Sequence, residues 1–394
     1  MTTLSAPAAA TLAADNRPDT PLRFGFGKNW SDFVERSFSE ERLDKAQKHL
    51  LHFLKLPNLN GRTFLDIGCG SGLHSLAAMR AGADRIISFD YDANSVAATQ
   101  KLRNFIGNPA HWSVQQGSVL DKSFVEKLPQ ADIVYSWGVL HHTGSMWEAI
   151  QNAASRVNQN GVFYIALYTT DVYNDPPPEY WLDIKRQYNR SSRLGKRRME
   201  WAYAWKYNIW PDLKRRKNPL HYLLADNRER GMTYWTDVRD WLGGWPMEFA
   251  GIAETKSFAS DKLKMQLLNI VAGEGNTEYL FRPRQGRSYF DEIPAVSKVE
   301  DLKGPFKHLG GHCYIAQIPH LEASADSDDN RGRSKIMLFE NGVPLGFPHQ
   351  YPHHIKTFGS GRYSHWDVKL LFSATDNTDP NSNGKQYTIA PNFM

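Results

Sequence analysis

Between residues 64 and 167, short apolar runs alternate with segments in which apolar residues have helical spacing. Short runs of aliphatic and aromatic residues recur there and predict buried strands. Between the runs, apolar residues spaced three and four positions apart predict amphipathic helices. The predicted strands are 64–67, 85–89, 112–116, 132–136 and 161–167, and the predicted helices are 73–79, 94–105, 123–128 and 146–157. Strands that alternate with helices form a parallel sheet covered on both faces, so the pattern predicts an α/β fold.

The chain ahead of this alternation is predicted to hold a tail, a cover and a helix. Residues 1–20 lack an apolar pattern, and we expect a disordered tail there. Residues 22–33 are rich in aromatic residues and glycine, and are expected to form an ordered N-terminal cover in which Trp30 is a candidate lid over a ligand. Ser37 and Glu40 predict a capping box at the start of the first helix.

The order changes after the fifth predicted strand. An aromatic and basic segment interrupts it, and the pattern resumes with a helix at 236–242 and two strands at 263–270 and 277–281 that predict an antiparallel hairpin. Short strand-like runs separated by Asn- and Gly-rich turns then predict a small all-β domain. The predicted division is a tail 1–20, an α/β domain 21–284 with a helical insert at 169–232, and a β-rich C-terminal domain 285–394.

Composition adds few constraints. The 394 residues are 41% hydrophobic and 23% charged, and the length favours two or three domains. The two cysteines are Cys69 and Cys313, so no disulfide framework is expected and a reducing, cytoplasmic location is predicted. No stretch approaches the ~20 consecutive apolar residues that a membrane span needs.

The net charge of +5 is unevenly distributed. Residues 185–217 hold twelve Lys or Arg against two acids, interleaved with tryptophan and tyrosine. Three interpretations stay open: a solvated helical lid, a segment that binds an anionic membrane surface or substrate, and, less favoured, a nucleic-acid-binding segment. No RNA-binding fold signature accompanies the basic residues.

The clearest chemical signal is a glycine-rich turn between the first predicted strand and helix. Glycines there bring backbone N–H groups close to a nucleotide-like ligand. The third glycine comes one position too early for a dinucleotide fingerprint, and an acid precedes the first glycine. A carboxylate would repel a pyrophosphate and attract a cationic amino group or sulfonium, so the turn favours S-adenosylmethionine over NAD. The residues concerned are Asp66, Gly68, Cys69, Gly70 and Gly72.

This turn resembles the first motif of the class I S-adenosylmethionine-dependent methyltransferases, and the resemblance extends over about residues 60–170. It implies a Rossmann-like sheet that the C-terminal hairpin closes. Residues 140–143 and 230–246 loosely resemble a group of ubiquinone-biosynthesis-type O-methyltransferases. The insert and the C-terminal domain depart from that group.

The resemblance also implies roles for residues at the ends of the predicted strands. Asp90 would accept hydrogen bonds from the ribose hydroxyls, and Tyr91 would lie against the adenine. At the third strand end, Ser118 would bond the base edge and Val119 would pack on its face. At the fourth strand end, the methionine part would lie beside Ser136 and Trp137.

Methyl transfer to oxygen needs an aligned acceptor, exclusion of water and a group that removes a proton. His141 and His142 follow the fourth strand, where an acceptor would approach, and Tyr168 follows the fifth. These three are the candidate catalytic residues.

The acceptor is expected to be a small molecule or a glycan that is methylated on oxygen. An RNA or lipid-linked substrate and a non-catalytic binding protein are the alternatives, and the oligomeric state stays open. The histidines near residue 350 lack a diagnostic ligand spacing, so no metal site is predicted. A carbohydrate-binding or oligomerisation role is the hypothesis for the β-rich region.

Overall fold

The computed structural model describes residues 24, 39–171, 176–214, 218, 226–227, 232–272, 276–285, 299–330 and 332–391. The predicted tail, most of the predicted N-terminal cover, Trp30 and Ser37 lie outside these residues.

A seven-stranded sheet forms the centre of the molecule, with strand order β3-β2-β1-β4-β5-β9-β8. Strands β1 to β5 run parallel, whereas β9 pairs antiparallel with both β5 and β8. The strands are β1 (Thr63–Ile67), β2 (Arg85–Asp90), β3 (Trp112–Gln116), β4 (Ala131–Trp137), β5 (Val157–Tyr168), β8 (Met265–Ala272) and β9 (Asn276–Pro283). The predicted α/β sheet and its antiparallel hairpin are therefore confirmed.

Helices cover both faces of this sheet, because each presents an apolar stripe to it. One hydrophobic cluster lies under α1 and α2, and a second lies under α5 and α10. Helix α1 begins at Glu40 with Ser39 as its N-cap, since the Ser39 hydroxyl accepts a hydrogen bond from the Arg42 N–H at 3.3 Å. The helices are α1 (Glu40–Leu54), α2 (Leu73–Arg80), α3 (Ala93–Phe105), α4 (Lys122–Lys127), α5 (Met146–Ala154) and α10 (Ile252–Asp261).

The insert is helical, as predicted, and packs beside the carboxyl ends of β4 and β5. Its helices are α6 (Pro178–Arg190), α7 (Arg193–Ala204), a π-helical turn (Trp205–Ile209) and α8 (Trp210–Lys214), and it includes the short strand β6 (Asp226–Asn227). Strand β7 (Met232–Thr233) and helix α9 (Tyr234–Gly243) come next, where a helix at 236–242 was predicted. Tyr188, Val238 and Leu242 form a small core between α6 and α9.

The C-terminal region is β-rich and contains two four-stranded sheets, ordered β10-β17-β13-β14 and β11-β12-β16-β15. Its elements are β10 (Glu300–Asp301), β11 (Lys307–Gly310), β12 (Cys313–Gln317), β13 (Met337–Glu340), β14 (Val343–Pro344), α11 (Pro352–Phe358), β15 (Tyr363–Trp366), β16 (Lys369–Phe372) and β17 (Tyr387–Ala390). The short helix α11 was not predicted.

This region packs directly on the edge of the central sheet. The Ala272 N–H of β8 donates to the Gly346 carbonyl at 2.7 Å. Met337 and Phe339 of β13 belong to the same buried cluster as Leu268 and Leu280 of the central sheet. The β-rich region therefore completes the hydrophobic core of the α/β sheet in addition to having a core of its own.

Candidate active site

A cavity of about 850 Å³ lies at the carboxyl ends of the parallel strands. On one side, which we call the glycine-loop side, residues 66–71, 90–93 and 117–120 line it. On the other, which we call the insert side, His142, Tyr168, Lys185, Asp237, Asp240, Trp241 and Trp245 line it. Ligands bind at this position in open α/β sheets, and the volume is in the range of small-molecule sites.

Packing inside the protein explains two of the glycines in the turn. Gly68 and Gly72 have φ of 76° and 80°, in the left-handed region. A Cβ on Gly68 would lie 2.4 Å from the Val139 side chain, and one on Gly72 would lie 2.8 Å from Thr99. The close approach that requires these glycines is therefore to the turn after β4 and to α3 of the protein itself.

Asp66 lies at the end of a hydrogen-bonded chain that begins at an indole. Trp112 Nε1 donates to Ser88 Oγ at 2.8 Å, the Ser88 and Ser75 hydroxyls are 2.7 Å apart, and Ser75 donates to Asp66 Oδ2 at 2.5 Å. Because Ser75 gives its only proton to the carboxylate, Ser88 must donate to Ser75. The chain holds the carboxylate in place, and none of its three donors was predicted from the sequence.

Asp66 is only 2% exposed, and burial raises its pKa to about 7, with the nearby Asp90 acting in the same direction. The Ser75 hydrogen bond opposes this shift. A buried carboxylate in the wall of a cavity is stabilised by a cationic group in that cavity. This arrangement fits the cationic end of S-adenosylmethionine.

Asp90 links the end of β2 to the glycine turn. Its Oδ2 accepts from the Gly70 N–H at 3.0 Å, and its Oδ1 accepts from the Asp92 N–H at 2.9 Å. Gly70 and Cys69 also line the cavity, and Cys69 is buried. The predicted acid at the second strand end is thus fixed against the turn at the edge of the cavity.

Three residues predicted beside the adenine come together on the glycine-loop side. Tyr91, Ser118 and Val119 all line the cavity, Tyr91 being 55% exposed and Val119 buried. Asn152 of α5 donates to the Val119 carbonyl at 2.9 Å and so fixes this turn. Apolar and aromatic surfaces flank this part of the cavity.

Other predicted residues do not reach the cavity. Ser136 is fully buried and donates to the Ile67 carbonyl at 2.9 Å, so its hydroxyl ties β4 to β1. Ser136, Gly72 and His141 are not among the described residues that line the cavity, whereas Trp137 is. The side chain of Ser136 and the Cα of Gly72 are thus packed within the protein, and a contact of their backbone with a ligand stays a prediction.

Helix α1 contributes a polar group that was not predicted. His49 lies 3.2 Å from Glu278 Oε1, and the hydroxyl of Tyr164 donates to the same carboxylate. The hydrogen bond to Glu278 raises the pKa of His49, although burial opposes it. His49 lines the cavity together with Arg42 and Lys45. The contact joins residues more than 200 positions apart, so no local pattern could indicate it.

The two histidines after β4 have different environments. His141 is fully buried, neither ring nitrogen has a hydrogen-bond partner among the described residues, and burial holds its pKa well below the usual range. Its ring packs 4.5 Å from that of Tyr168, between centroids. The ring of His141 does not line the cavity and packs on Tyr168, so the structure offers no support for the prediction that His141 contacts an acceptor.

His142 does line the cavity, and its Nδ1 lies 2.8 Å from the Pro246 carbonyl oxygen. A carbonyl oxygen only accepts hydrogen bonds, so Nδ1 carries the proton. In the neutral ring Nε2 is then the nitrogen with the lone pair. His142 thus has the tautomer of a proton acceptor.

Lys185 of α6 is the functional candidate that sequence reasoning missed. It is 1% exposed, lines the cavity, and its Nζ donates to the Trp241 carbonyl and lies 4.1 Å from the centroid of the Trp241 ring. Burial lowers its pKa to about 7, against the opposing influence of Asp240. A signal was present, because Lys185 lies between the buried Trp181 and Tyr188 on the apolar stripe of its helix.

Comparison with known proteins agrees with this geometry. Residues 38–229 match the sequence profile of a family described as "Methyltransferase domain". By this match, residues 38–229 carry a methyltransferase domain. The predicted class I methyltransferase fold and its cofactor are thereby confirmed.

A curated relative of this methyltransferase domain is the tRNA U34 carboxymethyltransferase of Psychrobacter arcticus, 30% identical over 146 residues. The match covers 36% of this chain and 42% of that protein, so the chain matches less than half the length of the relative.

Solved structures that resemble the chain include an O-methyltransferase family protein from Burkholderia thailandensis, at 15% identity and a TM-score of 0.40, covering 66% of this chain and 60% of that one. Another is the magnesium protoporphyrin IX methyltransferase of Synechocystis PCC 6803 with bound SAH, at 12% identity and a TM-score of 0.38, covering 65% and 93%.

No group of three or more His, Cys, Asp or Glu side chains among the described residues could hold a metal ion. None of the helices in the described part of the chain has the length and apolar character to cross a bilayer.

Proposed function

We propose that the protein transfers a methyl group from S-adenosylmethionine to an oxygen atom of a small acceptor held on the insert side of the cavity. The observation that carries the proposal is one cavity lined both by the glycine turn with Asp66 and Asp90 and by an aromatic wall with His142 and Lys185. Donor and acceptor would then share one cavity. The acceptor oxygen could approach the methyl group from the side opposite the sulfur, as an in-line displacement requires.

The glycine-loop side would hold the cofactor, which supplies an electrophilic methyl group. Asp66 would face its cationic methionine end, since a buried carboxylate whose pKa is raised to about 7 is stabilised by a neighbouring cation. Asp90 would accept from the ribose hydroxyls, and Tyr91 with Val119 would enclose the base. Trp137 would lie beside the methionine part.

On the insert side, His142 would accept the proton of the acceptor hydroxyl at Nε2, because its Nδ1 donates to the Pro246 carbonyl. Lys185 would donate a hydrogen bond to the oxygen as negative charge develops on it. Tyr168, held by Trp241 and His141 at centroid distances of 5.7 and 4.5 Å, would form an apolar wall that excludes water.

The test is turnover with a panel of small phenols, alcohols and glycans, followed by formation of S-adenosylhomocysteine. We expect His142→Gln to lower kcat by about 10²–10⁴ and to leave S-adenosylmethionine affinity within twofold, which is the range for loss of a general base. Cofactor binding without turnover on any acceptor would favour the non-catalytic binding protein instead. Turnover unaffected by His142→Gln would remove the assignment of the base.

A further inference from the structure

The outer face of the insert is a large exposed surface that methyl transfer does not explain. Residues 193–214 form a continuous helical run through α7, the π-helical turn and α8. Its exposed positions recur every three or four residues, so they lie along one face. The large side chains of this cationic-aromatic face are Arg193, Leu194, Arg197, Arg198, Trp201, Trp205, Lys206, Trp210, Leu213 and Lys214.

The apolar members of this face are unusually exposed for a folded protein. Leu194 is 66% exposed, Trp201 and Trp205 are 54% and 53%, and Trp210 and Leu213 are 48% and 45%. Five such side chains lie on one helical run, and exposed large apolar groups concentrated in this way mark interaction sites. A merely solvated lid would present polar residues at these positions.

The charge of the face has one sign. Both acids within residues 193–214, Glu200 and Asp212, are buried at 6% and 4% exposure. Glu200 accepts from the Tyr188 hydroxyl at 2.7 Å on the inner side of the helix. All ionisable side chains that this described segment exposes are therefore Arg or Lys, and the complementary partner is anionic.

The arrangement of the tryptophans distinguishes between two possible anionic partners, a nucleic acid and a lipid bilayer. Trp201 packs against Trp235 with 4.8 Å between ring centroids, Trp205 stacks on Trp210 at 6.2 Å, and Lys214 lies 5.2 Å from the Trp210 centroid. Ring faces that could stack on bases are partly occupied in this way, and exposed leucines add nothing to base stacking. Leucine and tryptophan edges beside Lys and Arg are instead the composition of a helix that lies in a bilayer interface.

We propose that the cationic-aromatic face docks the protein on an anionic phospholipid bilayer. The helical run lies in the plane of the interface, with Trp and Leu at the boundary of the acyl chains and Arg and Lys at the lipid phosphates. The proposal is independent of methyl transfer, because none of the ten side chains lines the cavity.

The experiment is co-sedimentation of the full-length protein with vesicles of phosphatidylcholine alone and of phosphatidylcholine mixed with phosphatidylglycerol. We expect binding to the mixed vesicles that falls as salt is added, and at least about tenfold weaker binding for Trp201→Ser/Trp205→Ser and for Arg197→Ala/Arg198→Ala. The matched controls are Phe105→Ser, which removes a 79% exposed side chain from α3, and Lys262→Ala. Both should bind like the wild type.

Unchanged unfolding temperatures in the variants establish that only the surface has been altered. Failure to bind mixed vesicles, or variants that bind them as tightly as the controls, would overturn the proposal. A parallel gel-shift titration with unfractionated tRNA covers the other anionic partner. If the same variants lose tRNA binding while the wild type ignores vesicles, the face is a nucleic-acid surface and the membrane assignment is wrong.

Discussion

Asp66 links cofactor binding to pH at the scale of a single residue. Burial raises its pKa to about 7, and a cationic ligand binds the ionised carboxylate better. We therefore expect the affinity for S-adenosylmethionine to fall about tenfold between about pH 8 and about pH 6, as the carboxylate takes up a proton. Calorimetric titration across this range measures it. Asp66→Asn should bind weakly at both pH values, and a variant with the wild-type pH dependence would contradict this role.

Lys185 links the stability of the free protein to pH in the same direction. Its pKa is about 7 in the folded state and 10.5 in the reference state, so the unfolded chain binds more protons between these values. Its contribution to the unfolding free energy therefore rises with pH from about 7 upward. We expect Lys185→Met to raise the unfolding free energy by about 2 kcal/mol near pH 6, and to have a smaller effect near pH 10.

The same substitution should lower kcat/KM by about 10²-fold or more, because a developing oxyanion would lose its donor. Urea unfolding at several pH values and steady-state kinetics check the two effects. A Lys185→Met protein that is less stable near pH 6 and fully active would contradict both. The control is Lys262→Ala, which removes an exposed lysine that does not line the cavity.

At the scale of elements, the turn between β1 and α2 is packed tightly against its neighbours. Gly68→Ala would put a methyl group 2.4 Å from Val139 at a φ of 76°, and we expect a loss of about 2–4 kcal/mol in unfolding free energy. Gly107→Ala has a φ of 88° but nothing within 4 Å, so it should cost only about 1 kcal/mol. Adding Val139→Ala should recover part of the Gly68→Ala loss. Equal losses at both glycines would show that the contact with Val139 is unimportant.

Local patterns predicted most of the elements, because most strands of the parallel sheet contain a short apolar run flanked by polar turns. Helix α10 escaped prediction, since its buried positions are Ile252, Thr255 and Ala259, and two of these three are small or polar. The start of α1 was placed two residues early, because Ser37 and Glu40 match the capping box whereas the observed cap is Ser39. In α10 the small and polar residue types hide the apolar stripe of the helix. At α1 two nearby serines are both suitable N-caps, and the sequence does not choose between them.

Some residues of the site were predictable from local sequence and others were not. The glycine turn, Asp90 and the Val119 turn follow strand ends, so the order of strands alone brings them together. Lys185 and His49 reach the cavity through contacts between distant parts of the chain, such as that of His49 with Glu278, which no local pattern contains. His141 and His142 are adjacent in sequence, yet only the backbone geometry of the 3₁₀ turn at Leu140–His142 decides which ring faces the cavity.

At the scale of the whole molecule, the β-rich region and the central sheet share one buried cluster. Phe339 is 7% exposed and belongs to it with Leu268 and Leu280. We expect Phe339→Ala to lower the unfolding free energy by about 3 kcal/mol, and circular dichroism and tryptophan fluorescence to report a single shifted transition. Val343→Ala, at a 42% exposed position of β14, is the control and should shift it little. Two separate transitions, only one of them shifted, would show that the regions unfold independently.

The measurement that tests the central claim most directly is calorimetric titration of S-adenosylmethionine into the wild type, Asp90→Ala and Phe105→Ser. The account predicts one-site binding to the wild type and to Phe105→Ser, and about tenfold or weaker binding to Asp90→Ala, because the ribose hydroxyls lose a charged acceptor and the turn loses the acceptor of the Gly70 N–H. No binding to the wild type, or equal affinity in Asp90→Ala, would contradict it.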